Sequence, residues 1–303
     1  MSGNTVHQRS AGQEKSRAAF TQVMIALVKD RLALCGLILL AVFILLALFA
    51  PLLSPQNPYD LMQLDIMDGR LAPGSASLGG MHYWLGTDDQ GRDLFSAILY
   101  GTRISLMVGF SSALFALLIG ASLGLISAYV GGKTDAVIMR IVDIQLSFPP
   151  ILIALILLAV LGQGVDKIIL ALVVTQWAYY ARTIRGSALV ERRRSYVDAA
   201  ASMALSGRRI LFRHILPNCL APLIVVATMR IAYAIMLEAT LSFLGIGLPV
   251  TEPSLGLLIA NGFEYLMSGD YWISFFPGLT LLLLIVAINL VGDALRDILN
   301  PRN

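Results

Sequence analysis

The sequence predicts an all-α integral membrane protein with six transmembrane helices, and three observations predict it. The 303 residues are 57% hydrophobic and only 14% charged, against about a quarter charged in a soluble domain. Six apolar runs, at 32–53, 104–130, 138–161, 168–180, 220–244 and 272–291, approach or exceed the roughly 20 residues that carry a helix across a bilayer. Lysines and arginines fall in blocks between these runs, as in membrane proteins whose basic loops stay in the cytoplasm.

The N-terminal stretch 1–31 is polar and basic, with His7, Arg9, Lys15, Arg17, Lys29 and Arg31. It is too long and too polar to start a cleaved signal, so the run 32–53 is expected to remain as an anchor. The connection that follows holds Arg70, Arg92 and Arg103 against Asp60, Asp65, Asp68, Asp88, Asp89 and Asp93, which places it outside. Run 138–161 carries Arg140 and Asp143 near its start, best placed at an interface, and Pro149-Pro150, which can kink it. Run 168–180 is short, and its span could take in Ala181 or start earlier, near Val165. Residues 182–218 hold Arg182, Arg185, Arg192, Arg193, Arg194, Arg208, Arg209 and Arg213, whereas the connection between the last two runs has only Glu252, Glu264 and Asp270. The N-terminus, residues 182–218 and the C-terminus are therefore expected on the cytoplasmic side. The organisation that follows is a tail at 1–31, a first span with a long external loop at 32–103, a core at 104–299 containing the cytoplasmic loop 182–218, and a tail at 300–303.

Within that loop, Ser195 and Asp198 have capping-box spacing, and Ala199, Ala200, Ala201 and Met203 favour helix. Ser206-Gly207 interrupts. A second, basic amphipathic helix is expected from Arg208 to Leu216, with Ile210, Leu211, His214 and Ile215 on one side and Pro217 ending it. The local pattern fits either a helix lying on anionic lipid or a docking knob for a cytoplasmic partner.

Several features lead away from catalysis. Cys35 and Cys219 have no CxxC or Cys/His companion, so they read as inert thiols. "SAYVGGKT" at 127–134 nearly spells a phosphate-binding loop, but Ser127 occupies the first glycine place and a membrane run precedes it; Gly131-Gly132 is expected to make a tight turn. Asp88-Asp89 could attract a hard cation, but Arg92 and Arg103 offer simpler partners. The histidines His7, His82 and His214 all lie outside the apolar runs. No catalytic or metal-binding residues are assigned. Arg230 and Glu238 lie within the fifth run, eight residues apart near one helix face. Charges at that depth are costly, and the two are candidates for a translocation path or for a subunit interface.

Asp198-Ala199-Ala200, Ala204 and His214-Ile215-Leu216-Pro217 resemble the EAA loop of bacterial ABC importer permeases. The departures are Asp198 for Glu, Ala204 for Gly and His214 for Ile. "LGTDDQGRDLFSAILYGTRISL" at 85–106, "MRIVDIQLSFP" at 139–149, "LSFLGIGLP" at 241–249 and "FFPGLTLLLLIVAINLVGDALRDILNPR" at 275–302 are similar to the second permease of dipeptide, oligopeptide and nickel importers. The resemblance implies the type I, MetI-like ABC permease fold in a bacterial cytoplasmic (inner) membrane. It also implies a second homologous permease, two ABC ATPase subunits that bind the ATP and Mg, and an extracytoplasmic substrate-binding protein; this chain itself holds no cofactor. Ser195, Asp198, Ala199, Ala200, Ala204, Gly207, Ile215, Leu216 and Pro217 would form the ATPase-coupling surface. Peptides are the default cargo, with nickel complexes, glutathione, opines and sugars as alternatives. The rival class is a secondary transporter driven by an ion gradient, whose mark would be repeats, broken helices and a charged midplane site.

Overall fold

The computed structural model describes residues 25–77 and 79–299; most of the expected N-terminal tail and all of 300–303 lie outside them. Helix α1 spans Arg31–Leu48, and the Asp30 carboxylate caps it by accepting from the Leu32 N–H at 2.9 Å. A short α2, Ala50–Leu53, follows, and an irregular segment carries the small antiparallel hairpin β1 (Ser75–Ala76) and β2 (His82–Tyr83). Helix α3 runs Leu94–Val130, 37 residues, which is about 55 Å at 1.5 Å per residue. It starts well before the apolar run at 104 because Asp93 caps it, accepting from the Ser96 N–H at 2.9 Å.

The run 138–161 does not form one span with a kink. It breaks into α4, Gly132–Ser147, and α5, Pro150–Leu161, which meet at 90°. A proline drives the residue before it out of the helical region, and two in succession hold Phe148 and Pro149 at ψ 142° and 126°. Helix α6, Val165–Arg192, extends the short run 168–180 at both ends. Its charges are answered by α4: Arg185 grips Asp135 with two bonds of 2.6 Å, and Arg182 pairs with Asp143. Among the described residues, four helices are long and apolar enough to cross a membrane: α1, α3, Leu220–Phe243 (α10) and Trp272–Leu299 (α12). Counted as one broken span, the bent α4–α5 pair makes five. The sixth expected span, α6, is long enough at about 42 Å but is less apolar than the other four.

The arginine-rich loop folds into α7, Ser195–Ser202, and a second helix in three pieces: α8, Gly207–Ile210; a π turn, Leu211–Ile215; and α9, Leu216–Asn218. Two expectations change here. Ser195 is the first helical residue rather than the cap, and the Asp198 N–H donates to the Arg194 carbonyl. Pro217 does not end the helix. The widened π turn, closed by the Leu216 N–H on the Leu211 carbonyl, lets the chain pass a proline that lacks its own N–H and crowds the preceding turn. The short α11, Leu255–Glu264, then sits between α10 and α12.

Glycines bring the long helices together. A Cβ on Gly120 would strike the Trp177 carbonyl, and one on Gly124 the Ala181 carbonyl, so α3 and α6 lie side by side and parallel. Gly109 against Ile235 sets α10 antiparallel to α3, and Gly36 packs on Leu290 of α12. Arg31, residues 195–218 and Leu299 consequently share one end of the bundle, and the hairpin and α11 share the other. Two apolar clusters fill the interior. One contains Ala116, Leu125, Tyr180, Ile184, Ile210 and Ile215. The other contains Val108, Leu158, Leu172, Ala234 and Leu241.

At the hairpin end, the segment "GTDDQGRD" ties α3 to the rest. Arg92, 1% exposed, pairs with Asp88 at 2.5 Å and donates to the Val250 carbonyl at 3.2 Å. The Thr87 hydroxyl donates to the Asp68 carbonyl and its own carbonyl accepts from the Trp272 indole. The Tyr83 hydroxyl donates to Asp68, and burial together with that bond pushes its pKa up to about 12. Asp88 is thus consumed by Arg92, and among the described residues no group of His, Cys, Asp and Glu could hold a metal ion. Gly131 and Gly132, at φ 70° and 55°, make the expected tight turn between α3 and α4.

Candidate functional site

Residues 195–218 form a knob at the end of the bundle opposite the hairpin. Its inner face is apolar: Val197, Ala200, Ile210, Leu211 and Ile215 are buried against α3 and α6. Its outer face shows Ser195, Asp198, Ala199, Met203, Ala204, Arg209, Phe212 and Pro217. The nine residues singled out from the sequence therefore divide. Ser195, Asp198, Ala199, Ala204 and Pro217 are presented outward, whereas Ala200 and Ile215 anchor the knob from within, and Gly207 and Leu216 are half-buried. Gly207 is where the second helix crosses Tyr129, and any Cβ there would meet the Tyr129 hydroxyl. Ala204 turns the chain between the two helices at φ 55°.

Three residues that the sequence pattern did not mark hold the knob in place. The Tyr196 hydroxyl donates to Glu191 at 2.6 Å, and the Asn218 amide donates to the Tyr196 oxygen at 3.0 Å and to the His214 carbonyl at 2.8 Å. Partial desolvation and the Glu191 bond push the Tyr196 pKa up to about 12. Arg192 donates to the Ala128 carbonyl at 2.9 Å and lies over the Tyr129 ring. The first turn of α7, the end of α6 and the end of α3 are thus one mechanical unit. Apart from the Asn218–His214 bond, none of these contacts leaves a local sequence signature, because the partners are 5 to 64 residues away.

The two charges on α10 have different surroundings. Glu238 is completely buried within this chain; Ser105 of α3 donates to it at 3.0 Å and Ser242 at 2.9 Å. It ties α10 to α3. Arg230 is half-buried, and its guanidinium carbon lies 3.4 Å from the centre of the Tyr179 ring.

A bundle that carries serine-clamped charge inside and a docked knob at one end can be compared with known proteins. Residues 116–303 match the family of binding-protein-dependent transport system inner membrane components, and residues 19–73 match the N-terminal transmembrane domain of oligopeptide transport permease C. The chain belongs to this permease family. The permease is 38% identical over 286 residues to the dipeptide transport system permease protein DppC of Alkalihalophilus pseudofirmus, covering 94% of this chain and 90% of that one. It is 36% identical over 289 residues to the oligopeptide transport system permease protein OppC of Bacillus subtilis, covering 95% and 92%. The dipeptide permease DppC of Haemophilus influenzae is 39% identical over 274 residues. In fold, the permease is similar to an inward-facing MetNI methionine ABC transporter chain, with a TM-score of 0.55 over 67% of this chain and 96% of that chain at 22% identity. Family membership makes this a transport component of the inner membrane rather than an enzyme, and it agrees with the ABC permease resemblance carried by the sequence motifs.

Proposed function

We propose that this permease forms half of the translocation path of an ATP-driven importer of di- or oligopeptides. The other half is a second homologous permease; two ATPase subunits bind ATP and Mg on the knob side, and a substrate-binding protein delivers cargo on the hairpin side. In this reading α6 counts as the sixth span, and the basic residues of the N-terminal tail and of 182–218 assign the N-terminus, the knob and the C-terminus to the cytoplasm. The observation that carries this reading is the construction of the knob: an outer face of small and polar residues with Met203 and Phe212 exposed among them, backed by a buried apolar face and a hydrogen-bonded latch to α3 and α6. A push on that face is transmitted to the spans instead of being absorbed by a loose loop. The peptide assignment rests on the relatives, which are named as dipeptide and oligopeptide permeases. The nine sequence-marked residues act in two ways in this scheme, Ser195, Asp198, Ala199, Ala204 and Pro217 by contact and Ala200, Gly207, Ile215 and Leu216 by shaping the knob.

The test is uptake of a radiolabelled dipeptide by proteoliposomes holding the permease with its co-purified companions. Wild-type vesicles should accumulate peptide only with ATP. Reversing the exposed charge with Asp198→Lys should lower uptake about tenfold or more, since like-charge juxtaposition at an interface costs several kcal/mol, while membrane insertion stays intact. Uptake by Asp198→Lys at the wild-type rate would remove the coupling role. Uptake driven by an ion gradient without ATP would replace the importer with a secondary carrier.

A further inference from the structure

Arg230 is the eleventh residue of the 24-residue α10, about 15 Å from its first residue and 20 Å from its last. A charge so deep must be answered. The same helix shows what a structural answer is like: Glu238, two turns on, is enclosed by serine hydroxyls. Arg230 is answered only in part. The Tyr179 ring lies 3.4 Å from its guanidinium carbon and the Tyr233 ring 5.4 Å away. Ring faces attract the cation but accept none of the N–H bonds that radiate from the guanidinium edge in its plane. Among the described residues Arg230 has no carboxylate within ion-pair distance.

Beside this arginine, α6 contributes a second irregularity. Gln176, fully buried one turn before Tyr179, has neither its amide oxygen nor its amide nitrogen bonded, and the buried Tyr180 hydroxyl is also without a partner. Buried polar groups are nearly always paired. One turn of α6 thus holds three unmet hydrogen-bonding atoms, and Tyr179, in that same turn, carries the Arg230 guanidinium over its ring.

We propose that Arg230, framed by Tyr179 and Tyr233, is a mid-membrane station for the carboxylate of the transported molecule, an inference that rests on the peptide-import reading and deepens it. Stacking on Tyr179 holds the guanidinium plane and leaves its edge open for a two-pronged bond to a carboxylate. The terminal carboxylate is common to all ordinary peptides whatever their side chains, so one arginine serves a varied cargo. A single site of this kind neutralises the charge that most opposes crossing, yet holds it weakly enough for release.

The experiment compares a hydrophobic dipeptide with its C-terminal amide in proteoliposomes of the assembled transporter. The affinity of the binding protein for each form is measured separately and divided out. Arg230→Gln should slow transport of the free acid about tenfold, the size of one lost charge-assisted bond, and of the amide by less than about twofold on the same scale. Arg230→Lys, which keeps the charge without the fork, should fall between, and Tyr179→Leu should lower the acid-to-amide ratio in the same direction. Equal slowing of both forms, or no slowing, overturns the proposal. So does loss of the companion permease from the purified Arg230→Gln complex, which would assign the arginine to an acidic group on that subunit. Wild-type vesicles that transport neither form overturn the import reading itself and this inference with it.

Discussion

At Ala204 the backbone adopts φ 55°, a left-handed conformation in which Cβ crowds the neighbouring carbonyl at a cost of about 1–2 kcal/mol. The sequence had marked this position as a departure from the loop of similar permeases, alanine where glycine is usual, and the structure supplies the reason glycine suits it. Ala204→Gly should therefore raise the stability of the purified protein by about 1 kcal/mol, less the greater freedom glycine has when unfolded. A thermal melt read beside wild type checks it, and a lower melting temperature would contradict the backbone assignment. At the opposite end, Arg92 and Asp88 show a different limit. Their charges and the i,i+4 spacing were visible, and pairing was a fair expectation. That the pair would be sealed from solvent and would reach the Val250 carbonyl was not visible, because Val250 is 158 residues away.

At the scale of elements, the contact between α3 and α6 organises the bundle. Gly120 and Gly124 stand four residues apart on one face, and each lets the α6 backbone approach. This is the small-xxx-small spacing that lets membrane helices touch. It was present in the sequence as "GASLG", and it was the signal that apolar-run counting overlooks. Gly124→Leu should push α6 away from α3, at a cost of about 1–3 kcal/mol for overpacking. It should also displace the knob, whose buried residues rest on the same two helices. Folded yield after detergent extraction and peptide uptake should both fall. Normal yield and uptake would show that the two helices can separate without consequence. The start of α6 near Val165 was within the expected limits, but its extension beyond Ala181 was missed for an electrostatic reason: Arg182 and Arg185 end the apolar run, but Asp143 and Asp135 answer them, so the helix continues past them. The break between α4 and α5 was read as a kink because sequence marks where prolines are and not how far the chain turns there.

For the whole molecule, the packing order places Arg31, the knob and Leu299 at one end, and the proposed orientation puts that end in the cytoplasm. Met203, 74% exposed on the knob, and Met67, 80% exposed on the hairpin side, are reporters for it. In a cysteine-free background, a membrane-impermeant maleimide applied to spheroplasts should label Met67→Cys and spare Met203→Cys, and inverted vesicles should give the reverse. Labelling of both residues from one side would reject the orientation. The sequence by itself determined the solvent of the protein, the approximate place of its spans, the position of the knob and the family, because apolar run length, basic-residue placement and short motifs are local properties. Only the tertiary structure decided which knob residues point outward, that Glu238 is clamped by serines while Arg230 keeps an open edge, and that Tyr196, Asn218 and Arg192 lock the knob to the bundle. Those outcomes depend on which helices become neighbours, and that is settled by close packing and by the pairing of polar groups that have no water to turn to.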